Sequence, residues 1–162
     1  MVETFFQPNR HHFTMLYFTY GSFMDANNLK RHTPSAKLIC KALIPNWEVQ
    51  FNYYSKNYMG GVTGIEPALN RLVRGAVYEI PPNEIEHLDT VEGVPGGTYY
   101  RHPIMVVSEE GEPMIAHVYR TTNPRGPFKP TKKYLRYMVD GAKALGLPAE
   151  YIAELEAAET VD

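Results

Sequence analysis

Runs rich in β-branched and aromatic residues succeed one another in this chain with few helical stretches between them. They are Leu16 to Tyr20, Lys37 to Ile44, Trp47 to Tyr54, Leu72 to Ile80, Thr98 to Ser108 and Pro113 to Thr122. Successive parallel strands need long crossovers, usually helices, and most of these gaps are too short to hold one. The pattern predicts an α+β domain whose small, largely antiparallel mixed β-barrel is flanked by helices. Pro45-Asn46 either separates two strands or bends one long one. Asn57 to Pro67, with Gly60-Gly61 and Gly64, reads equally as a loop or as a short strand between bends. Gly75 inside a strand marks a bulge or a close backbone approach, and Glu109-Glu110-Gly111-Glu112 suits a hairpin turn.

Helices take the remaining places. Ala26 to Arg31 is a short one with Asp25 as its cap, and Asn83 with Glu86 has capping-box spacing after Pro81-Pro82. Thr131 to Leu145, stopped by Gly146, and Pro148 to Glu159 close the chain. Residues 1–14 read as a flexible lead-in and 15–162 as one domain, long enough to bury a full core. A homodimer suits a domain of this size.

Charge and cysteine content exclude several classes of function. A formal net charge of −2 gives no overall pull toward nucleic acid or anionic membrane, and no apolar run is long enough to span a bilayer. Cys40 is the only cysteine, which rules out an internal disulfide and a cysteine-based metal centre and suits a reducing, cytoplasmic setting. Cys40 itself reads as a small buried apolar residue. His11, His12, His32, His87, His102 and His117 lack ligand spacing, so no metal site is expected. Arg120, Arg125, Lys129, Lys132, Lys133 and Arg136 form a basic stretch. It reads as a solvated surface offset by the acidic last helix, or as the source of one cation that reaches a pocket.

Two places carry chemistry. In Tyr17-Phe18-Thr19-Tyr20-Gly21-Ser22-Phe23-Met24-Asp25 a strand ends at Gly-Ser and a helix starts. Such a junction leaves several backbone N–H groups without partners and aims them at one spot, as an anion cradle. The second place is Glu92. On the helix after Pro82, Ile85 and Leu88 share a face, and at 3.6 residues per turn Glu92 continues that apolar stripe before Gly93 stops the helix. A carboxylate turned inward at a helix C-terminus is pushed toward its neutral form by desolvation and by the dipole. That is the tuning a general base needs if it must later act as an acid near neutral pH. Asp89 turns to another side, so no carboxylate dyad forms. Tyr99 and Tyr100 face opposite sides of a strand, and Tyr99 is the one favoured for the pocket.

Tyr20-Gly21-Ser22 after the first strand, Leu88-Asp89-Thr90-Val91-Glu92-Gly93-Val94, then Tyr99-Tyr100, and Tyr134 with Gly141-Ala142-Lys143-Ala144-Leu145-Gly146-Leu147-Pro148 stand in one order. Together they resemble the γ-glutamylcyclotransferase-like superfamily over almost the whole chain from residue 15. The resemblance implies a small barrel and an enzyme without metal or organic cofactor. Its substrate would be a small γ-glutamyl amine or amino acid, whose α-amine attacks its own γ-carbonyl to form 5-oxoproline and expel the amine. It further implies Glu92 as the proton carrier, with Tyr20, Gly21, Ser22, Phe23, Met24, Tyr99 and Tyr134 around the substrate. One position departs: the family pattern is usually Tyr-Gly-Ser-Asn, and here Phe23 stands fourth. That keeps open a non-catalytic binding member of the fold, and a biosynthetic enzyme that removes a γ-glutamyl protecting group is a further reading.

Overall fold

The computed structural model describes residues 14–162; the expected lead-in lies outside the described residues except for Thr14. Five strands close into a barrel in the order β1-β3-β2-β4-β5. They are β1 (Met15–Thr19), β2 (Lys37–Ser55), β3 (Gly60–Ile80), β4 (Tyr99–Ser108) and β5 (Pro113–Thr121). All pairings are antiparallel except the one that shuts the ring, where β1 meets β5 in parallel at Tyr17 and His117.

Side-chain alternation along the strands divides the core in two. Phe18, Ile44, Ile65, Val73, Val106 and Val118 belong to a cluster drawn from every strand and from no helix, which fills the barrel. Tyr17, Tyr78, Tyr99 and Tyr119 turn the other way and meet four helices. Leu29 comes from α1 (Ala26–Lys30) and Ile85 and Leu88 from α2 (Pro82–Val91); Met138 and Ala142 come from α3 (Lys132–Leu145) and Leu155 from α4 (Ala149–Glu156). The largest part of the wall of the cavity around Glu92 comes from this outer layer, with Tyr20 of the barrel cluster joining it.

β2 and β3 form one hairpin that pairs from Lys37 with Glu79 to Ser55 with Gly60. Pro45-Asn46 therefore bends a single strand. Asn46 and, in the facing segment, Asn70 take left-handed backbone at φ 62° and 63°, and the Asn70 N–H donates to Asn46 Oδ1 at 3.0 Å. Asparagine tolerates this conformation better than other residues with a side chain, so the ladder can kink here without ending. The undecided stretch Asn57 to Pro67 is strand from Gly60 onward and runs unbroken into the strand expected from Leu72. Its glycines answer to crowding, not to bends. A Cβ at Gly61 would lie 2.3 Å from Phe128 O and one at Gly64 2.5 Å from Asn52 Oδ1, just as one at Gly75 would meet Thr19 O.

Two helix ends differ from the sequence reading. Asn83 does not cap α2: Pro81 does, without a side-chain bond, and Pro82 begins the helix. Proline suits the first helical position because its fixed φ is helical and its missing N–H would have had no intrahelical partner, so the helix starts ahead of Asn83 and the Glu84 and Ile85 N–H groups both bond Pro81 O at 3.0 Å. The last helix stops at Glu156, and Glu159 beyond it pairs with Lys129 at 3.0 Å. Other caps follow expectation, with Asp25 accepting the Asn28 N–H and Thr131 the Tyr134 N–H.

α3 reaches the strand-to-helix junction through Gly141, where a Cβ would stand 2.3 Å from the Met24 carbonyl carbon and 2.5 Å from the Asp25 nitrogen. Alanine is the better helix former by about 1 kcal/mol, yet overpacking against backbone costs about 1–3 kcal/mol and outweighs it. Gly141→Ala is expected to lower the unfolding free energy in urea by about that margin, and a more stable variant would contradict this packing.

Candidate active site

Glu92 owes its position to the way α2 ends. Ile85 and Leu88 are almost fully buried, which fixes the helix face, and Glu92 follows as the C-cap with its N–H bonded to Leu88 O at 2.9 Å. Gly93 then adopts φ +70°. Its N–H donates to Thr90 O at 3.1 Å and that of Val94 to Asp89 O at 2.9 Å. These two bonds make a Schellman stop, which holds the end of the helix, and so the base of the Glu92 side chain, in one geometry.

That side chain borders a cavity of about 410 Å³ in which it is the sole acid among the described lining residues. Glu92 is half-buried as a residue, because part of it faces the hollow. Even so, burial lifts its carboxyl from the ordinary 4.5 to about 7. Seven tyrosines line the same space: Tyr17, Tyr20, Tyr53, Tyr58, Tyr99, Tyr119 and Tyr134. Desolvation raises the hydroxyls of Tyr17, Tyr20, Tyr58, Tyr99, Tyr119 and Tyr134, and the nearby Glu92 charge raises each further. At neutral pH they are therefore neutral dipoles around one titrating carboxyl.

Their hydroxyls are held by backbone. Tyr99 donates to Thr63 O at 2.6 Å and Tyr20 donates to Tyr119 O. Tyr134 accepts the Thr63 N–H at 3.1 Å and shares a 2.8 Å hydrogen bond with Thr63 Oγ1. In the arrangement where Thr63 donates both, the Tyr134 proton points into the cavity. Burial leads the rise of Tyr134 to about 12, against the lowering effect of those Thr63 bonds. Tyr119 bonds Asp89 at 2.6 Å, and Asp89 in turn pairs with Arg101 at 2.8 Å. Asp89 is thus engaged away from Glu92, as its helical position predicts.

The turn forms another part of the wall. Gly21, Ser22 and Phe23 line the cavity, and Ser22–Met24 is a single 3-10 turn leading into the five residues of α1. Neither element is long enough to build much macrodipole, so the cradle rests on individual N–H groups. Those of Met24 and Asp25 are bonded to Gly21 O and Ser22 O, whereas those of Ser22 and Phe23 have no acceptor among the described residues. A Cβ at Gly21 would fall 2.5 Å from Thr63 Oγ1 and 3.3 Å from the Tyr134 hydroxyl. Only glycine lets the turn approach that pair.

Of the residues expected from the sequence, Glu92, Tyr20, Gly21, Ser22, Phe23, Tyr99 and Tyr134 border one hollow. Met24 does not. It is 1% exposed, in the core, beneath Gly141 of α3, because the 3-10 turn swings its side chain away from the cavity. None of the six cations of the basic stretch lines this cavity; Arg31 and Lys56, both exposed at its rim, do. Arg31 is steadied by a 2.6 Å bond to Asn28 Oδ1. Thr63, Tyr58, Tyr17 and Tyr119 also went unnoticed in the sequence. For Tyr17 and Tyr119, strand alternation with Thr19 and Thr121 was the available signal.

The raised Glu92 pKa has a cost in stability. Between 4.5 and about 7 the folded protein retains a proton that the unfolded chain releases, so stability falls as pH rises through that window. A shift of this size amounts to at most about 3 kcal/mol, and less for a group bordering a wet cavity. Glu92→Gln is expected to be more stable than the unaltered protein by about 1–3 kcal/mol at pH 8, the gap closing toward pH 4.5. Denaturation curves across pH check this; a gap that widens in acid would contradict it.

Comparison with known proteins is consistent with this geometry. Residues 72–155 match the AIG2-like family. The γ-glutamylcyclotransferase of Mus musculus is 32% identical over 150 residues, 90% of this chain and 79% of the mouse protein. That of Homo sapiens is 30% identical over 153 residues, 92% of this chain and 81% of the human protein. A solved structure of a γ-glutamyl cyclotransferase superposes with a TM-score of 0.88 at 29% identity, covering 93% of this chain and 90% of that one. With a desolvated carboxyl and a strand-to-helix turn lining one hollow against a closed mixed barrel, and with relatives matched over most of their length, the chain belongs to the AIG2-like, γ-glutamylcyclotransferase family.

Proposed function

We propose that this protein cyclises the γ-glutamyl group of a small γ-glutamyl amine or amino acid to 5-oxoproline and releases the amine, with Glu92 moving the proton. The observation that carries this reading is the lone carboxyl, with a pKa of about 7, in a hollow lined by neutral hydroxyls and a free-amide turn. An α-amine has a pKa near 8, so Glu92 and the nucleophile are matched within about one unit, where proton transfer is efficient.

The steps follow from that match. Glu92 accepts a proton as the substrate's α-nitrogen bonds to the γ-carbonyl carbon, and the carbonyl oxygen takes up negative charge. The Ser22 and Phe23 N–H groups and the Tyr134 hydroxyl are donors suited to that oxygen or to the α-carboxylate. Collapse of the intermediate breaks the bond to the leaving nitrogen, which receives the proton from Glu92. Nucleophile and electrophile share one molecule, so the protein's task is to hold the substrate bent. Arg31 and Lys56 at the rim favour a leaving amine that carries its own carboxylate. The lone Cys40, half-buried with its thiol raised by burial and by Glu110, Glu109 and Glu112, is inert, which suits a reducing cytoplasm.

Assay of 5-oxoproline release from a panel of γ-glutamyl compounds tests the reading. Glu92→Gln is expected to lose about 10²–10⁴ in kcat while keeping the fold, and the rate of the unaltered enzyme should rise with pH through about 7. Appearance of free glutamate in place of 5-oxoproline, or undiminished turnover by the variant, would overturn it. Arg31→Gln is expected to raise KM for a γ-glutamyl amino acid several-fold more than for a γ-glutamyl amine; equal effects on both would remove the rim cation from recognition.

A further inference from the structure

The cavity around Glu92 has a closed floor and an open mouth, built from different residues. Tyr20, Thr63, Tyr99 and Tyr134 are each less than a tenth exposed, whereas Arg31, Lys56, Asn57 and Val91 in the same wall are exposed. In the ring closure proposed above, the reacting atoms lie between Glu92 and the Ser22 and Phe23 N–H groups. The floor beyond them is shut, so the departing amine extends toward the mouth. What it meets there decides which amine leaves well.

One flank of the mouth is a continuous aromatic and apolar strip. The Phe23 ring stands edge to face with His32 at 5.7 Å, and His32 lies on His87 at 5.8 Å. His87 and Val91 are four residues apart on α2, so they share a helix face. The strip thus runs from the turn that carries the free N–H groups to the residue before Glu92, and Phe23, His32 and Val91 bring it to the cavity wall. A lone exposed valine is ordinary; Val91, 38% exposed, is instead the open end of this strip. Burial, Arg31 and His87 lower the pKa of His32, so its ring favours the neutral form that an apolar contact needs. The hairpin tip adds Tyr58, half-buried, with its ring on Tyr134 at 4.9 Å and its N–H bonded to Ser55 Oγ at 3.2 Å. Among the described lining residues the mouth carries two cations, Arg31 and Lys56, and no acid besides Glu92 within.

We propose that the amine this protein releases most efficiently is an amino acid with a large apolar or aromatic side chain, which lies along His32 and Val91, backed by Phe23, while its carboxylate meets Arg31. The inference rests on the ring closure assigned to Glu92 and goes beyond it by naming the leaving group. Each methylene bound in an apolar pocket is worth about 10–200-fold in discrimination, and a flank open on one side gives the lower end of that range. An aromatic side chain gains further from edge-to-face contact with a neighbouring ring. A basic side chain finds no acid at the mouth and meets two like charges, which disfavours it. An acidic side chain could use Lys56 but would leave the strip uncovered, so it is the sharpest competitor.

The test is kcat/KM for 5-oxoproline release from γ-glutamyl-phenylalanine, γ-glutamyl-leucine, γ-glutamyl-alanine, γ-glutamyl-glutamate and γ-glutamyl-lysine. The phenylalanine and leucine compounds are expected to exceed the alanine compound by about tenfold or more, and the lysine compound to fall below it. Val91→Ser, at an exposed position, is expected to cut the phenylalanine-to-alanine ratio by about threefold or more, chiefly through KM. Phe23→Asn, which removes the ring behind His32, should cut the same ratio. Because the ratio is taken within each variant, a general loss of activity does not imitate the effect. Release of 5-oxoproline from none of the five compounds would overturn the ring closure and this inference together. Turnover that favours alanine or glutamate, or a ratio that Val91→Ser leaves unmoved, would overturn the choice of leaving group alone.

Discussion

A carboxyl that no cation among the described residues neutralises sets the terms for everything around it. Desolvation alone lifts Glu92 to about 7, and that value survives because its neighbours are tyrosine hydroxyls, not lysines or arginines. A guanidinium at hydrogen-bonding distance would hold the carboxylate ionised and too weakly basic to accept an amine proton. The dependence is mutual, since the Glu92 charge helps to keep Tyr17, Tyr20, Tyr99 and Tyr134 protonated. Among the described lining residues, Arg31 and Lys56 are the cations, both at the rim, where water screens them from the titrating group.

Neutral dipoles are useful only if they cannot turn away, and one residue does much of the holding. Thr63 gives its N–H to Tyr134 and shares a hydroxyl–hydroxyl hydrogen bond with it, accepts Tyr99 at its carbonyl, and sits where a Gly21 side chain would be. It thereby ties α3, β4 and the cavity-lining turn to a single point on β3. That point is set by the long hairpin, which carries Tyr53, Tyr58 and Thr63 to the cavity after kinking at Asn46 and Asn70. Donors fixed in this way need not reorganise as charge develops on a carbonyl oxygen, which is the condition for strong electrostatic stabilisation.

What the sequence disclosed depended on whether a residue's role was written in local periodicity. The barrel was legible from β-branched and aromatic runs separated by gaps too short for crossover helices, and Glu92 from a carboxylate continuing an apolar helical stripe with a glycine stop after it. Thr63 was not, because its segment is dense in glycines that signal bends in isolation but here answer to crowding by Phe128 and Asn52. Met24 was misplaced for a related reason: the one-turn 3-10 element rotates its side chain under α3, and a tight turn has no period from which to read that rotation. Arg31 and Lys56 resemble solvated surface charge in any linear reading; only closure of the fold brings them to one opening.

Phe23 can now be weighed against the asparagine usual at its position. Its side chain is 9% exposed, with the ring edge-on to His32 at 5.7 Å, and His32 packs on His87 of α2 at 5.8 Å. Burial, then Arg31 and His87, lowers the pKa of His32, so the histidine against Phe23 favours its neutral form. The Phe23 N–H is still without an acceptor. Since the cradle is main chain, exchanging an amide for a ring leaves its donors in place and changes only what the wall offers to the substrate. Under the proposed mechanism the substitution bears on which leaving amine is accommodated, while ring closure would depend on Glu92 and on backbone that any residue at position 23 supplies.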